Sequence, residues 1–144
     1  MKVTSCGVLV TDGARLLLAH ATRSRRWDIP KGIAREGEDF LSAAVRELWE
    51  ETGIQVNAEA LLPLGIYRYL PAKDLALFQW QPDTMPDPAR LRCTSRFAAG
   101  DRLLPECDRY GLFYWDEAVS LVGRNLARIL KTVRRDGTTS DGSV

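Results

Sequence analysis

Histidine, cysteine and long apolar runs are all scarce in this chain of 144 residues. His20 is the sole histidine, which excludes a metal site built from several imidazoles and leaves a Ser-His-Asp triad without other support. Cys6, Cys93 and Cys107 are an odd number with no C-x-x-C spacing, so neither a zinc cage nor a redox pair is indicated. Reduced thiols in the cytoplasm are the simplest reading. The longest apolar runs, Gly7 to Val10 and Leu16 to Ala19, fall far short of the ~20 residues that a membrane helix needs. The N-terminus carries no secretory pattern. Neither sign of charge is in excess: 20 Lys and Arg against 19 Asp and Glu leave a formal net charge of +1. No global field therefore draws the chain to nucleic acid or to a membrane. No repeat is visible, and the length predicts one domain over residues 1–135, large enough to bury roughly 68–70% of its unfolded surface.

What the chain does have is a glycine loop followed by a charged helix. Residues 32–54 read GIAREGEDFLSAAVRELWEETGI. Leu41, Ala44, Val45 and Leu48 fall at i, i+3, i+4 and i+7, one apolar stripe. Glu38 and Asp39 stand at the start, where acids suit the positive end of a helix dipole. Gly53 follows the last turn and suits a left-handed cap. The pattern predicts a helix over about 39–52 with Leu41 and Leu48 facing the core. Glu47, Glu50 and Glu51 then share one arc beside the apolar stripe, because residues three and four apart are neighbours. Three carboxylates crowded there repel one another unless a cation joins them, and hard oxygen ligands of this kind suit Mg²⁺ or Mn²⁺ rather than zinc. Arg46 lies one turn before Glu50 and can pair with it. A solvated charged helix face reads much the same over Glu47 to Glu51 alone; Gly32, Glu38, Arg46 and Gly53 at fixed offsets turn the reading toward chemistry.

With all of its defined positions filled, Gly32, Glu38, Arg46-Glu47-Leu48, Glu50-Glu51 and Gly53-Ile54, the segment resembles the catalytic box of the Nudix hydrolases. The resemblance is strongest over these residues, and weaker features extend it over roughly residues 3–133. It implies an α/β fold, an α/β/α sandwich with a mixed β-sheet between helices. It also implies an enzyme that cuts a phosphoanhydride in a nucleoside diphosphate linked to another group, using divalent cations. On that resemblance Glu47, Glu50 and Arg46 would form the catalytic set, with Arg46 in a structural part and Glu38 supporting the loop. Glu50 and Glu51 would ligate the metal, with Glu47 a further ligand or the general base. The backbone carbonyl of Gly32 would complete the site. A distant acid often joins in such enzymes; Glu106 is the first candidate here and Asp108 the second.

The lead-in Trp27-Asp28-Ile29-Pro30-Lys31-Gly32 is similar to that of family members acting on dinucleoside polyphosphates and related compounds. Lys31 and, from the basic loop before it, Arg26 are expected at the substrate phosphates. Tyr67 and Tyr69 are candidates for stacking on a base, although core packing is the ordinary use of strand aromatics. Arg92 and Arg96 are further candidate phosphate contacts.

The rest of the chain fills in the frame. Val3 to Val10 and Arg15 to Ala19 flank the turn signal Thr11-Asp12-Gly13 and predict a hairpin. Leu64 to Leu70 and Leu75 to Gln81 predict a second. Residues 82–101 read as a long loop with a short strand near Leu91 to Phe97. Tyr110 to Trp115 reads as a strand, with Asp116 as N-cap of the next helix. Gly123 divides the C-terminal helical region, where Leu126, Ile129, Leu130 and Val133 make a stripe. Composition predicts an unstructured tail over 136–144. The expected function is a Mg²⁺- or Mn²⁺-dependent pyrophosphohydrolase of nucleoside or dinucleoside polyphosphates. Nucleoside triphosphate sanitation, nucleotide-sugar cleavage, inositol polyphosphate cleavage and RNA cap removal stand open, as does a nucleotide-sensing module without turnover. The expected partner is a small nucleotide, with no nucleic acid and no membrane, and a homodimer is a possible assembly.

Overall fold

Alternation along three strands decides where the core lies. In the computed structural model, which describes residues 2–142 with side chains through Asp136, Val3–Val10 forms β1, Arg15–Ala21 forms β2 and Lys73–Trp80, the sixth strand in chain order, forms β6. Cys6, Val8 and Val10 of β1, Leu17 of β2 and Ala76 and Phe78 of β6 enter one buried cluster. Leu9, Leu16, Leu18, Leu75 and Leu77, one residue out of step, enter the other. Side chains at successive strand positions point to opposite faces, so strands apolar on both faces need cover on both faces.

That cover is helical. The first helix, α1 (Phe40–Thr52), packs Ala43, Ala44 and Leu48 into the first cluster. Helix α2 (Trp115–Leu121) contributes Trp115 and Ala118 to the second cluster, and α3 (Arg124–Gly142) contributes Leu126, Ile129 and Leu130. The result is the expected α/β/α sandwich.

Between β2 and β6 lie β3 (Trp27–Asp28), β4 (Lys31–Ile33) and β5 (Leu62–Leu70); after β6 come β7 (Arg96–Ala99), β8 (Arg102–Pro105) and β9 (Cys107–Tyr114). One sheet has the order β4-β1-β6-β5, a second β3-β2-β9, and β7 and β8 form a small separate ribbon. The first sheet is mixed: β1 runs parallel to β6 and antiparallel to β4, and β5 runs antiparallel to β6.

Four expectations change at this level. Strands β1 and β2 do not pair as a hairpin. Both edges of β1 are taken by β4 and β6, and β2 pairs with β3 and β9, so only a bridge from Thr11 to Leu16 joins the two. The turn between them is still well specified. Asp12 accepts from the backbone N–H of Ala14 and Arg15, and Thr11 donates to the Arg15 carbonyl at 2.6 Å. The loop over 82–101 ends in the β7–β8 hairpin, which turns at Gly100 with φ +68°, a backbone region that favours glycine. Tyr114, not Asp116, is the N-cap of α2, while Asp116 and Glu117 occupy its first turn. The backbone of α3 stays helical through Gly142, past the expected boundary at 135; extending a packed helix costs far less than starting one. Ser143 and Val144, also assigned to the tail, lie outside the described residues. Among the described residues, no helix is long and apolar enough to cross a membrane.

Candidate active site

Strand β4 and helix α1 meet at Gly32, where the Glu47 carboxylate takes the space that a side chain would fill. A Cβ built on Gly32 would lie 2.1–2.3 Å from the carboxyl atoms of Glu47. A side chain at this position would have to displace the Glu47 carboxylate. Helix α1 is held at both ends. Asp39 caps its start by accepting from the Ser42 backbone N–H at 2.7 Å, and Gly53 ends it at φ +78°, its N–H donating to the Trp49 carbonyl.

Arg46 is the hub of the charged face. Its Nε and Nη2 donate to the two oxygens of Glu38 at 2.8 and 2.9 Å, the bidentate geometry in which Arg binds carboxylate best. Its Nη1 donates to Glu47 at 2.8 Å and to Glu50 at 3.1 Å, and Nη2 reaches the Ile33 carbonyl at 3.3 Å. Glu38 also accepts from the Arg35 backbone N–H at 2.9 Å. These bonds hold the Glu38 carboxyl down to about 2 from an ordinary 4.5, with the Arg46 side chain the main cause and the Arg35 N–H second. Arg35 extends the network to Glu50 at 3.5 Å. Arg46 therefore sets the positions of three box acids.

Glu51 stands apart from that hub. It is 6% exposed, and burial followed by its hydrogen bond and repulsion with Glu47 hold its carboxyl far above the usual carboxylate range. Lys31 works in the opposite direction. Two carboxyls forced together in a dry place keep a proton between them unless another cation arrives. Cys107 lies on the other side, its Sγ 3.7 Å from a Glu51 oxygen. Tyr110 donates to the Glu51 carbonyl at 2.5 Å. The segment before β7 docks on the end of the same helix, with Arg92 N–H on the Thr52 carbonyl and Thr94 and Ser95 N–H on the Glu50 carbonyl.

Lys31 and Tyr69, both expected at the substrate, are brought together. The ammonium lies 5.3 Å from the Tyr69 ring centroid and 3.0 Å from Asp28. Burial works to lower the Lys31 pKa, but Asp28, Tyr69 and Glu51 outweigh it and raise it; Lys31 stays charged beside the acids. Tyr67 is half-buried against the α3-side core and donates to the Leu64 carbonyl at 3.4 Å, a packing role. Arg26 is exposed and lies against Gly123, its guanidinium 3.6 Å from where a Cβ would stand. That junction of α2 and α3 is on the other layer from α1. Arg92 and Arg96, the further phosphate candidates, make no side-chain ion pair among the described residues.

Among the described residues, the Glu106 side chain makes no hydrogen bond or ion pair with the acids of α1. It is exposed, and its hydrogen bonds are through its backbone, to Ser95 and Thr22. The residue beside Glu51 is its chain neighbour Cys107. Asp108 is engaged by His20, Nδ1 to Oδ1 2.7 Å. His20 is buried and packs edge-on against Trp27 at 5.1 Å. Neither the His20–Asp108 pair nor the Cys107–Glu51 contact was foreseen from the sequence. Both join residues more than fifty positions apart, and no local pattern signals them. Cys6, Cys93 and Cys107 are free thiols.

Among the described residues, no three His, Cys, Asp or Glu side chains converge as a metal cage. What the structure offers a cation is narrower: Glu47 against Gly32, Glu51 beside Glu47, and Glu50 on the same arc. A buried acid pair lacking a full counter-charge fits a hard divalent ion.

The site is thus a glycine-backed acidic helix on one layer of an α/β/α sandwich. The comparisons with known proteins carry this to a family. The model of the NUDIX domain matches residues 1–90. An uncharacterized 17.7 kDa protein of Enterobacteria phage T4 is 34% identical over 145 residues, covering 92% of this chain and 96% of its own. An RNA pyrophosphohydrolase of Bartonella tribocorum is 56% identical over 46 residues, 30% of this chain and 27% of that protein. Among solved structures, a C. elegans Ap4A hydrolase binary complex superposes with a TM-score of 0.64 at 21% identity, covering 96% of this chain and 98% of that one. The chain belongs to the Nudix hydrolase family.

Proposed function

We propose that this chain is a Mg²⁺- or Mn²⁺-dependent pyrophosphohydrolase that cleaves a phosphoanhydride bond in a nucleoside or dinucleoside polyphosphate. The observation that carries the reading is that Glu47, pressed on Gly32, is buried beside a second carboxyl, Glu51, whose pKa is raised by burial and by Glu47. Glu47, Glu50, Glu51 and the Gly32 carbonyl would hold the ion. A divalent cation bound there supplies neutralisation of the diphosphate and a lowered pKa for water.

The chain's own groups divide the remaining work. Arg46 fixes Glu47 and Glu50 in one arrangement, which reduces the reorganisation needed during reaction. Glu47 or Glu50 takes the proton of the attacking water, a contribution of roughly 10²–10⁴-fold. Lys31, charged and adjoining Glu51, faces the negative charge of the substrate phosphates, with Tyr69 beside it. Support for the substrate class comes from the Trp27-to-Gly32 lead-in and from the likeness in fold to an Ap4A hydrolase. The three free cysteines support a cytoplasmic setting.

A panel of nucleoside triphosphates, dinucleoside polyphosphates and nucleotide sugars, incubated with Mg²⁺ and read by product mass, tests the reading. Hydrolysis of a polyphosphate member is expected, with loss in excess EDTA. Glu50→Gln is expected to retain the fold and to lower turnover by about 10²-fold or more. Ligand-induced stabilisation without product from any member would overturn the reading in favour of a sensing module.

A further inference from the structure

Two of the three thiols stand together at the end of α1. Cys93 precedes the β7–β8 ribbon and Cys107 follows it. Backbone bonds pin both sides of the ribbon's base. On the Cys93 side, the Arg92 N–H donates to the Thr52 carbonyl, and the Thr94 and Ser95 N–H groups donate to the Glu50 carbonyl. The Thr94 hydroxyl donates to that same Glu50 oxygen at 3.2 Å. Across the base, the Glu106 N–H donates to the Ser95 carbonyl at 2.9 Å, and the Cys93 thiol donates to it at 3.4 Å. Cys93 and the residue before Cys107 thus converge on one oxygen atom. The two thiols are also partners of each other, by charge and by hydrogen bond.

Their surroundings give them different parts. Cys107 is 8% exposed, and its Sγ lies 3.7 Å from a Glu51 oxygen. Burial, then Glu51 and Cys93, hold its thiol protonated, which makes it slow towards an oxidant on its own. Cys93 is only half-buried, so an oxidant from solvent meets it first. Cys6 is wholly buried in the α1-side core and is shielded from both.

We infer that Cys93 and Cys107 are a reversible dithiol–disulfide pair, and that closing it loosens the hold on Glu51. The oxidant is a hydroperoxide. The Cys93 sulfur takes its terminal oxygen, giving a sulfenic acid and releasing an alcohol, or water from hydrogen peroxide. The Cys107 sulfur then displaces that hydroxyl. The S–O bond of Cys93 and the S–H bond of Cys107 break, the S–S bond forms, and the hydroxyl leaves with the thiol proton as water. Two electrons pass from the thiols to the peroxide. The proton that Cys107 offers to Glu51 is lost in this step, and its sulfur is drawn to Cys93. Glu51 keeps Glu47 on one side and loses a donor on the other. Disulfides that form in a reducing compartment serve as transient sensors, and a dithiol reverses this one. The effect on the ion rests on the hydrolytic reading above; the pairing of the thiols does not.

The test treats the whole protein with hydrogen peroxide, removes the oxidant by gel filtration and maps unreduced peptides by mass. A link between Cys93 and Cys107 is expected, lost again on dithiothreitol. Calorimetric titration of the same samples is expected to show Mn²⁺ held about tenfold more weakly after oxidation, the scale of losing a group that orients a ligand, and restored by dithiothreitol. Cys93→Ser and Cys93→Ala are each expected to form no link and to bind Mn²⁺ equally before and after peroxide. Melting curves confirm that both are folded. Sulfenic or sulfinic acid on Cys93 without a link, a link to Cys6 or between two copies, or a correct link that leaves Mn²⁺ affinity unchanged would overturn the inference. Failure of the reduced wild type to bind Mn²⁺ would instead count against the hydrolytic reading, with the peptide map still deciding the pairing.

Discussion

Helices α1 and α3 face opposite ways and handle charge in opposite ways. Both bury a leucine-containing stripe in the sandwich core, Leu48 on one and Leu126 and Leu130 on the other. On α1 the charged side chains are interlocked: one guanidinium serves Glu38, Glu47 and Glu50, and Glu51 is pushed inward against Glu47. On α3 Arg124, Arg128 and Lys131 lie exposed on the outer face, and Arg128 donates to the Arg68 carbonyl at 3.0 Å. The same periodicity thus yields two different surfaces. A close-packed network fixes geometry and stores electrostatic tension, as a reaction centre requires. An open row stores little and offers attraction to whatever anion approaches. Pattern alone does not tell the two apart; the difference comes from which neighbours the fold presses on each helix.

The comparison breaks most sharply at its hub. Arg46→Met leaves three acids without their common partner, and unfolding by urea is expected to show a loss of about 3 kcal/mol, the scale of a broken buried pair. The matching change on α3, Lys131→Met, is expected to stay within about 0.5 kcal/mol, as exposed substitutions do. Equal losses would mean that the network on α1 is no tighter than the row on α3.

A smaller effect with the opposite sign is expected at Glu51. Replacing it by Gln retains shape and hydrogen bonding but removes a buried acid facing Glu47. The metal-free protein is expected to gain about 1 kcal/mol, or roughly 2–4 °C in Tm at this size, at pH 8. A fall in Tm would show that the Glu51 carboxylate is already compensated.

The smallest effect is a pH dependence. The Glu38 carboxyl is depressed to about 2 from 4.5 in the fold. A depressed acid contributes stability above its unfolded pKa and loses it as pH falls through the folded value. Acid titration of the wild type is therefore expected to shed stability between about pH 4.5 and 2, and Glu38→Gln to do so less steeply. Indistinguishable titrations would remove Glu38 from the network's energetics.

Much of α1 was legible beforehand because each of its signals is local. Asp39 and Gly53 mark its ends, the i, i+3, i+4 pattern marks its buried face, and Gly32 sits at the offset that the Glu47 approach demands. The β5–β6 hairpin was legible for the same reason, since its turn lies between two alternating runs. The β1–β2 segment misled because a strong turn signal says nothing of which strands compete for the same edges. The β7–β8 ribbon was read as a long loop with one short strand near Leu91 to Phe97: its strands are short and partly exposed, so they carry little apolar period. Within the site, Glu106 was placed by family habit, whereas the fold turns Cys107 toward Glu51 and gives Asp108 to His20. Those choices depend on contacts across fifty to ninety positions, which sequence spacing does not encode.

The measurement that bears most directly on the central claim is calorimetric titration of Mn²⁺ into the wild type and into Glu47→Gln and Glu51→Gln. The account predicts saturable binding to the wild type and its loss in both variants, each still folded. Binding of undiminished strength to both variants would contradict it, because the ion would then be held somewhere other than the paired acids on Gly32.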